Sequence, residues 1–131
     1  MNLIEIFSII GIHWLADFVL QTDKQAKGKS KNWSDLLSHT FNYSIIWWCV
    51  GLVYLAFSFM KFPIQPTSNL LPIFYFGLIT FIAHTITDYF TSRLNSKLWE
   101  QGKVHNFFVS VGFDQYLHYL QLFLTYWYLT K

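Results

Sequence analysis

The chain has 131 residues, of which 53% are hydrophobic and 21% aromatic, while only 12% are charged. That balance excludes an ordinary soluble domain, in which about a quarter of the residues are charged. The net charge of +2 gives no indication of a nucleic-acid-binding surface, and the single cysteine, Cys49, excludes a disulfide framework. We therefore predict an all-α integral membrane protein that forms one domain over residues 1–131.

Four apolar stretches, separated by polar or proline-containing connections, follow one another along the chain. The predicted spans are about residues 3–20, 34–60, 72–98 and 107–129. Ser34 and Asp35 favour a helix start at the second span, and Pro72 is compatible with the first turn of the third. Pro63 and Pro66 interrupt the connection between these two spans. The sequence thus predicts a bundle of four transmembrane helices.

Basic residues are distributed unevenly among the connections. They are Lys24, Lys27, Lys29 and Lys31 in the first connection and Arg93, Lys97 and Lys103 around the third. By the positive-inside rule, both regions face the cytoplasm, so both termini lie outside a multi-pass protein of the inner (cytoplasmic) membrane. The same basic residues can contact membrane lipid, although their role in topology alone accounts for them. Homo-oligomerisation stays open.

His and Asp residues occur four positions apart in every predicted helix. The order is H-x-x-x-D in the first and third helices and D-x-x-x-H in the second and fourth, as in HWLAD, DLLSH, HTITD and DQYLH. This spacing puts an imidazole and a carboxylate on one helix face. Its recurrence suggests an internal duplication of two helical hairpins, related by an axis along the membrane normal.

All four pairs fall at a similar depth near the cytoplasmic ends of the helices, so we expect them to converge. A carboxylate at the centre of a membrane span costs about 2.5–3.5 kcal/mol even on the mildest scale. No Lys or Arg lies deep in a predicted span to offset that cost. Three ways of offsetting the cost of the buried carboxylates remain: protonation of the carboxylates, His–Asp hydrogen bonds with water, and a bound divalent cation. Imidazole and carboxylate favour zinc, with iron or manganese as alternatives, as one ion or two.

The candidate residues divide by expected role. The predicted metal ligands are His13, Asp17, His39, His84, Asp88, Asp114 and His118. Asp35 and His39 are the candidates for a catalytic general base, although Asp35 beside Ser34 can instead be a helix cap. We expect three further residues to hydrogen-bond to the ligands and orient them without contacting the metal: Gln21, Asn42 and Gln115. Either two metals lie side by side, or one metal is bound and the remaining side chains orient its histidines.

Several of these segments carry a resemblance to a known family. The run HWLADFVLQTDKQAKGK, the Ser38–His39 pair, and the segments HTITDY and DQYLHYL resemble the small bacterial and phage membrane proteins catalogued as domain of unknown function 3307. The resemblance covers nearly the whole chain and implies a polytopic membrane protein without an established activity. More loosely, the His and Asp cluster is similar to those of membrane-bound metal-dependent hydrolases.

Three classes of function fit this pattern. We predict the first, a metal-dependent hydrolase that acts at the cytoplasmic membrane face on a lipid-like ester or phosphoester. The second is a transporter or sensor of divalent metal or protons. The third is a structural membrane protein in which a metal or a His–Asp network joins the two hairpins.

Overall fold

The protein is an all-α bundle in the computed structural model, which describes residues 1–61 and 70–131. Its elements are α1 (Leu3–Trp14), a π-helical segment (Leu15–Val19), α2 (Asp23–Gly28), α3 (Trp33–Lys61), α4 (Leu70–Glu100) and α5 (Val104–Leu129). The predicted all-α class is therefore confirmed. Pro63 and Pro66, with the connection that they were expected to interrupt, lie outside the described residues.

The four long helices lie close to the predicted spans, with small shifts at their ends. Helix α3 starts at Trp33 because the side chain of Asn32 accepts a hydrogen bond of 2.8 Å from the backbone N–H of Asp35. The expected cap at Ser34 or Asp35 is therefore wrong by about one helical turn. Helix α4 ends at Glu100, and Gly102 follows with a φ of +66°, a left-handed conformation that glycine adopts without strain.

The first connection contains a helix that the sequence did not predict. Thr22 caps α2, since its side chain accepts a bond from the backbone of Gln25 while the Gln25 side chain accepts one from the backbone of Thr22. The amide of Gln25 also donates to the Ser38 hydroxyl of α3, at 3.0 Å. Helix α2 is thereby fixed against the bundle, and the lysine that follows it is held in place.

The distribution of side chains is inside-out compared with a soluble bundle. Large apolar residues such as Phe57, Phe90 and Phe108 are more than 60% exposed, whereas most of the buried side chains among the described residues are polar. A small apolar cluster remains inside, made by Ile9, Ala16, Tyr43, Trp47 and Leu122. Polar residues inside and apolar residues outside are typical of helices that face lipid.

Two helical stretches of the described chain are long and apolar enough to cross a membrane. They are Trp33–Phe57 within α3 and Leu70–Glu100, which is the whole of α4. Helix α1 with the π-helical segment, and helix α5, do not meet the same criterion of length and hydropathy. The four-span arrangement therefore stays a prediction.

Candidate metal centre

Six buried side chains from four parts of the bundle converge on one interior site. They are Asp17, His39, His84, Asp88, Asp114 and His118, which we call the His/Asp cluster. Every one of them is at most 8% exposed. Three overlapping sets, each of three residues, can hold a metal ion. Within each set, all three ligand atoms lie within 4.8 Å of one another.

Asp17 reaches the cluster from the π-helical segment. The backbone N–H of Leu20 donates to the carbonyl of Leu15 at 3.0 Å, a bond that spans five residues instead of four. Such a segment widens the helix and changes the direction of the side chains after it, and π-helical turns are frequent at functional sites. His13 and Asp17 still come within 3.8 Å of each other, but only Asp17 belongs to the candidate ligand sets.

Four ligand atoms, which we call site A, have five interatomic distances close to those of a tetrahedron. Its atoms are Nε2 of His39 and His84, Oδ1 of Asp17 and Oδ2 of Asp88. The two imidazole nitrogens lie 3.2 Å apart, and the four nitrogen–oxygen distances are 3.1, 3.3, 3.5 and 3.6 Å. Four ligands at about 2.0–2.1 Å from a tetrahedral zinc lie about 3.3 Å from one another. The spacing therefore fits one such ion.

A second set, site B, lies next to the first and shares a residue with it. Nε2 of His118 is 3.3 Å from Oδ1 of Asp88 and 3.4 Å from Oδ1 of Asp114. Asp88 thus presents one carboxylate oxygen to each set, as a bridging carboxylate does between two ions. Site B has three candidate protein ligands, which form one of the three sets, whereas site A combines the set of His39, His84 and Asp88 with the Asp17 oxygen that lies 3.1 and 3.5 Å from its two imidazoles.

Stacked rings and hydrogen bonds hold the imidazoles in position. The His84 ring is packed between Tyr43 and His118, with centroid distances of 4.0 and 4.1 Å. The amide nitrogen Nε2 of Gln21 lies 2.9 Å from Nδ1 of His39, the nitrogen not used in site A, and donates a hydrogen bond to it. Gln21 therefore lies where the sequence analysis expected it, behind a ligand.

The carboxylates also have supporting partners. The hydroxyl of Thr91 donates to Oδ1 of Asp114 at 2.6 Å. The amide of Gln115 donates to Asp114 at 3.0 Å and to Asp17 at 3.3 Å, so this side chain connects the two carboxylates. Gln115 thus has the predicted supporting position.

Lys29 supplies a positive charge that the sequence analysis did not expect. Its Nζ lies 2.8 Å from Oδ2 of Asp88, and its side chain is 18% exposed. Burial alone lowers the pKa of Lys29, but the nearby carboxylates of Asp88 and Asp17 outweigh that effect and raise the pKa above its usual value. The expectation that no lysine pairs with the buried carboxylates is therefore wrong. One ammonium, however, faces three of them, so most of their charge still requires protonated histidines or a cation.

His13 lies beside the cluster with both ring nitrogens hydrogen-bonded to protein. Nε2 donates to Oε1 of Gln115 at 2.8 Å, and Nδ1 accepts from the Tyr43 hydroxyl at 2.6 Å. Nε2 is also 3.8 Å from Oδ2 of Asp17. Both nitrogens are occupied, so His13, one of the predicted ligands, orients Gln115 in this structure and is in none of the three candidate ligand sets.

Two other predicted residues also lie away from the cluster. Asp35 turns toward the first connection, where it accepts a bond of 2.8 Å from the Asn32 amide and packs against Gly28. This geometry places the predicted catalytic carboxylate in a structural role at the start of α3. Asn42 is exposed on the outer surface of α3, because the buried face of that helix follows His39 and Tyr43 instead.

The comparisons with known proteins identify a family. The family model described as "Protein of unknown function (DUF3307)" matches residues 6–131, nearly the whole chain. The chain belongs to the DUF3307 family. Among curated proteins and solved structures, nothing matches it. The resemblance noted in the sequence is thus confirmed, and the site of this DUF3307 protein must be interpreted from its own geometry.

Three further residues of this DUF3307 chain contribute to the site without having been predicted. Tyr43 packs on His84 and bonds to His13, Thr91 bonds to Asp114, and Lys29 pairs with Asp88. Tyr43 and Thr91 share a helix face with predicted ligands four and three residues away, so helical spacing was an available signal. Helical spacing offered no comparable signal for Lys29. This residue follows α2 and reaches the site only because α2 packs against α3.

Proposed function

We propose that this protein is a multi-pass membrane protein that binds one or two divalent cations at the His/Asp cluster and uses them for hydrolysis. The substrate is a lipid-like ester or phosphoester, and the reaction takes place at the cytoplasmic face. The observation that carries the proposal is the set of five distances of 3.1–3.6 Å in site A, which match the ligand spacing around a tetrahedral ion.

The membrane location is supported by the inside-out side-chain distribution. All three buried carboxylates of the cluster lie in a bundle whose outer surface is largely apolar. Helix α1 and the π-helical segment comprise 12 and 5 residues, and together they reach the lower limit of about 17 residues for a membrane span. We accordingly propose four spans in the inner membrane, with the lysine-rich connection in the cytoplasm and both termini outside.

The difference between the two ligand sets supports a catalytic role. Site A would have four protein ligands if Asp17 joins His39, His84 and Asp88, which is typical of a structural ion, whereas site B would have only three. Three protein ligands leave a position for water or substrate, as in catalytic zinc sites. A metal held there by Asp88, Asp114 and His118 would lower the pKa of a bound water toward about 7 and would polarise an ester or phosphoester. Zinc fits the ligand set, with iron or manganese as alternatives.

The surrounding residues would hold the ligands in the geometry that this chemistry needs. Thr91 and Gln115 bond to Asp114, and the bond from Thr91 fixes one of its two oxygens. Asp88 connects sites A and B through its two oxygens. Paired ions about 3.5–4 Å apart are a common arrangement in enzymes that hydrolyse phosphoesters and peptides.

A structural role is the second candidate, and the closed ligand set of site A favours it. A single ion there would join the π-helical segment, α3 and α4, and so fasten the first hairpin to the second. In that case the protein would bind one equivalent of metal and would lack hydrolytic activity. Metal content and activity therefore separate the two functions.

The test is metal analysis of the detergent-purified protein together with two ligand variants. We expect two equivalents of metal in the wild type, about one in Asp114→Asn, and fewer than one in Asp88→Ala, because Asp88 belongs to both sites. His105→Gln changes an exposed histidine and is the matched control. Metal-loaded wild type is then assayed on carboxylic ester and phosphoester lipids. A folded wild type that takes up no zinc, iron or manganese would refute the proposal.

A further inference from the structure

Lys29 differs from the other lysines of its connection. Lys24 and Lys27 are 83% and 81% exposed and pair with carboxylates at 3.7 and 3.9 Å. The ammonium of Lys29 instead points inward, 2.8 Å from Oδ2 of Asp88 and 3.5 Å from Nε2 of His39. It is thus within contact distance of two of the four ligand atoms of site A.

The chain on both sides of Lys29 is fastened to the bundle. Gly28 packs so tightly on the Asp35 carboxylate that any larger side chain would collide with it. On the other side, the hydroxyl of Ser96 in α4 donates to the hydroxyl of Ser30 at 2.9 Å. These contacts hold the backbone at Lys29 next to the cluster, and its side chain remains 18% exposed.

Lys29 and a cation at site A compete for the same carboxylate oxygen. The ammonium contacts Oδ2 of Asp88, and this oxygen is the one that Asp88 contributes to site A. Two positive charges a few ångströms apart repel strongly in a buried site. When Asp88 binds a metal, the ammonium therefore loses much of its attraction to Asp88 and requires another anion.

We propose that Lys29 alternates between two partners, Asp88 in the metal-free protein and a phosphate oxygen of the substrate in the metal-loaded protein. The inference rests on the proposed function and narrows its substrate class to phosphoesters. A carboxylic ester is neutral and offers no charge to a released ammonium. A phosphoester has anionic oxygens, and lysine binds phosphate as a compact point charge.

Two binding measurements on the full-length protein in detergent test this exchange of partners. The first is zinc affinity, measured by competition with a chromophoric chelator, and the second is the affinity of the zinc-loaded protein for inorganic phosphate, measured by calorimetry. We expect Lys29→Met to bind zinc more tightly, on the order of tenfold, because the competing ammonium is gone. We expect the same variant to bind phosphate more weakly, also on the order of tenfold.

Matched variants show whether the charge at this position is responsible. Lys27→Met removes an exposed lysine of the same connection and should change neither affinity. Lys29→Arg keeps the charge and should retain phosphate binding. Short-chain phosphatidic acid, tested beside inorganic phosphate, identifies the source of the phosphate: tighter binding of the lipid indicates a headgroup, and equal binding indicates a soluble phosphoester.

The outcomes for the two proposals are distinguishable. Zinc binding by the wild type with unchanged phosphate affinity in Lys29→Met overturns the role of Lys29 and leaves the metal centre intact. Unchanged zinc affinity in Lys29→Met overturns it as well. A wild type that binds no metal overturns the metal centre, and the exchange of partners is then refuted together with it.

Discussion

Nε2 of His39 and Nε2 of His84 lie 3.2 Å apart, in helices α3 and α4, inside the bundle. Without a metal, these nitrogens face each other and the carboxylate of Asp17, whose Oδ1 lies 3.1 Å from Nε2 of His39. With a metal, both are ligands of the same ion, and the distance is the one that a tetrahedral site requires. Nδ1 of His84 is buried and has no hydrogen-bond partner in the part of the chain that the structure describes, so stacking on Tyr43 and His118 positions this ring without a hydrogen bond to Nδ1.

We therefore predict that both imidazoles bind the same ion. X-ray absorption of the zinc-loaded protein should show nitrogen and oxygen ligands at about 2.0–2.1 Å, including two imidazoles at site A. His39→Gln and His84→Gln should each remove one imidazole from the spectrum and weaken zinc binding by more than the about 10–100-fold that the loss of a residue behind the ligands costs. His105→Gln is exposed and should leave the spectrum unchanged. Retention of both imidazole signals in either cluster variant contradicts this assignment.

The structure predicts that His13 is not a ligand, although its pattern matches that of His84. Tyr43→Phe removes the hydroxyl that bonds to Nδ1 of His13 and leaves a buried nitrogen unsatisfied. We expect the free energy of unfolding to fall by about 1–3 kcal/mol.

We also expect His13→Gln to keep the full metal stoichiometry. Denaturant unfolding in detergent and metal analysis check the two parts, and metal loss in His13→Gln would contradict the second.

Thr91 is predicted to position Asp114 for metal binding. Its hydroxyl donates to Oδ1 of Asp114 at 2.6 Å, and this is the oxygen nearest to His118. Thr91→Val removes the donor at nearly constant volume, so the affinity of site B should fall by about 10–100-fold. Thr91→Ser keeps the hydroxyl and should restore binding. Equal losses in Val and Ser variants, measured by metal titration, would show that packing and not the hydrogen bond is responsible.

The convergence of the cluster was predictable from local spacing and depth. Pairs four residues apart, near the same end of four apolar helices, fix both the face and the level of each side chain. Six of the seven predicted ligands meet in the structure for this reason. His13 keeps the expected helical contact with Asp17, at 3.8 Å, but it lies outside the candidate ligand sets because Tyr43 and Gln115 bind its two ring nitrogens.

The remaining differences come from contacts distant in sequence. Lys29 meets Asp88 across 59 positions because α2 packs on α3 and turns the chain inward. The same packing puts Gly28 against Asp35, which removes that carboxylate from the cluster, whereas Asp114 at the matching position of the second hairpin stays in it. The repeated His and Asp pattern therefore predicts similar local faces but not the same partners. Helical spacing has no information about such packing.

Gly28 in α2 lies in close contact with Asp35, and this contact leads to a prediction about how α2 stabilises the site. A Cβ at position 28 would overlap the Asp35 side chain, so Gly28→Ala must move that side chain away from Asn32 or displace α2. We expect the free energy of unfolding to fall by about 1–3 kcal/mol, the usual cost of overpacking.

Gly112→Ala in α5 is the matched control, because a Cβ there meets nothing within 4 Å. Its unfolding free energy should stay equal or rise by up to about 1 kcal/mol, since alanine favours the helix more than glycine does. Denaturant unfolding of both variants in the same detergent gives the comparison. Displacement of α2 should also withdraw Lys29 from Asp88, so Gly28→Ala should bind zinc more tightly than Gly112→Ala. Equal stability and equal zinc affinity in the two variants would show that α2 does not hold Lys29 in place.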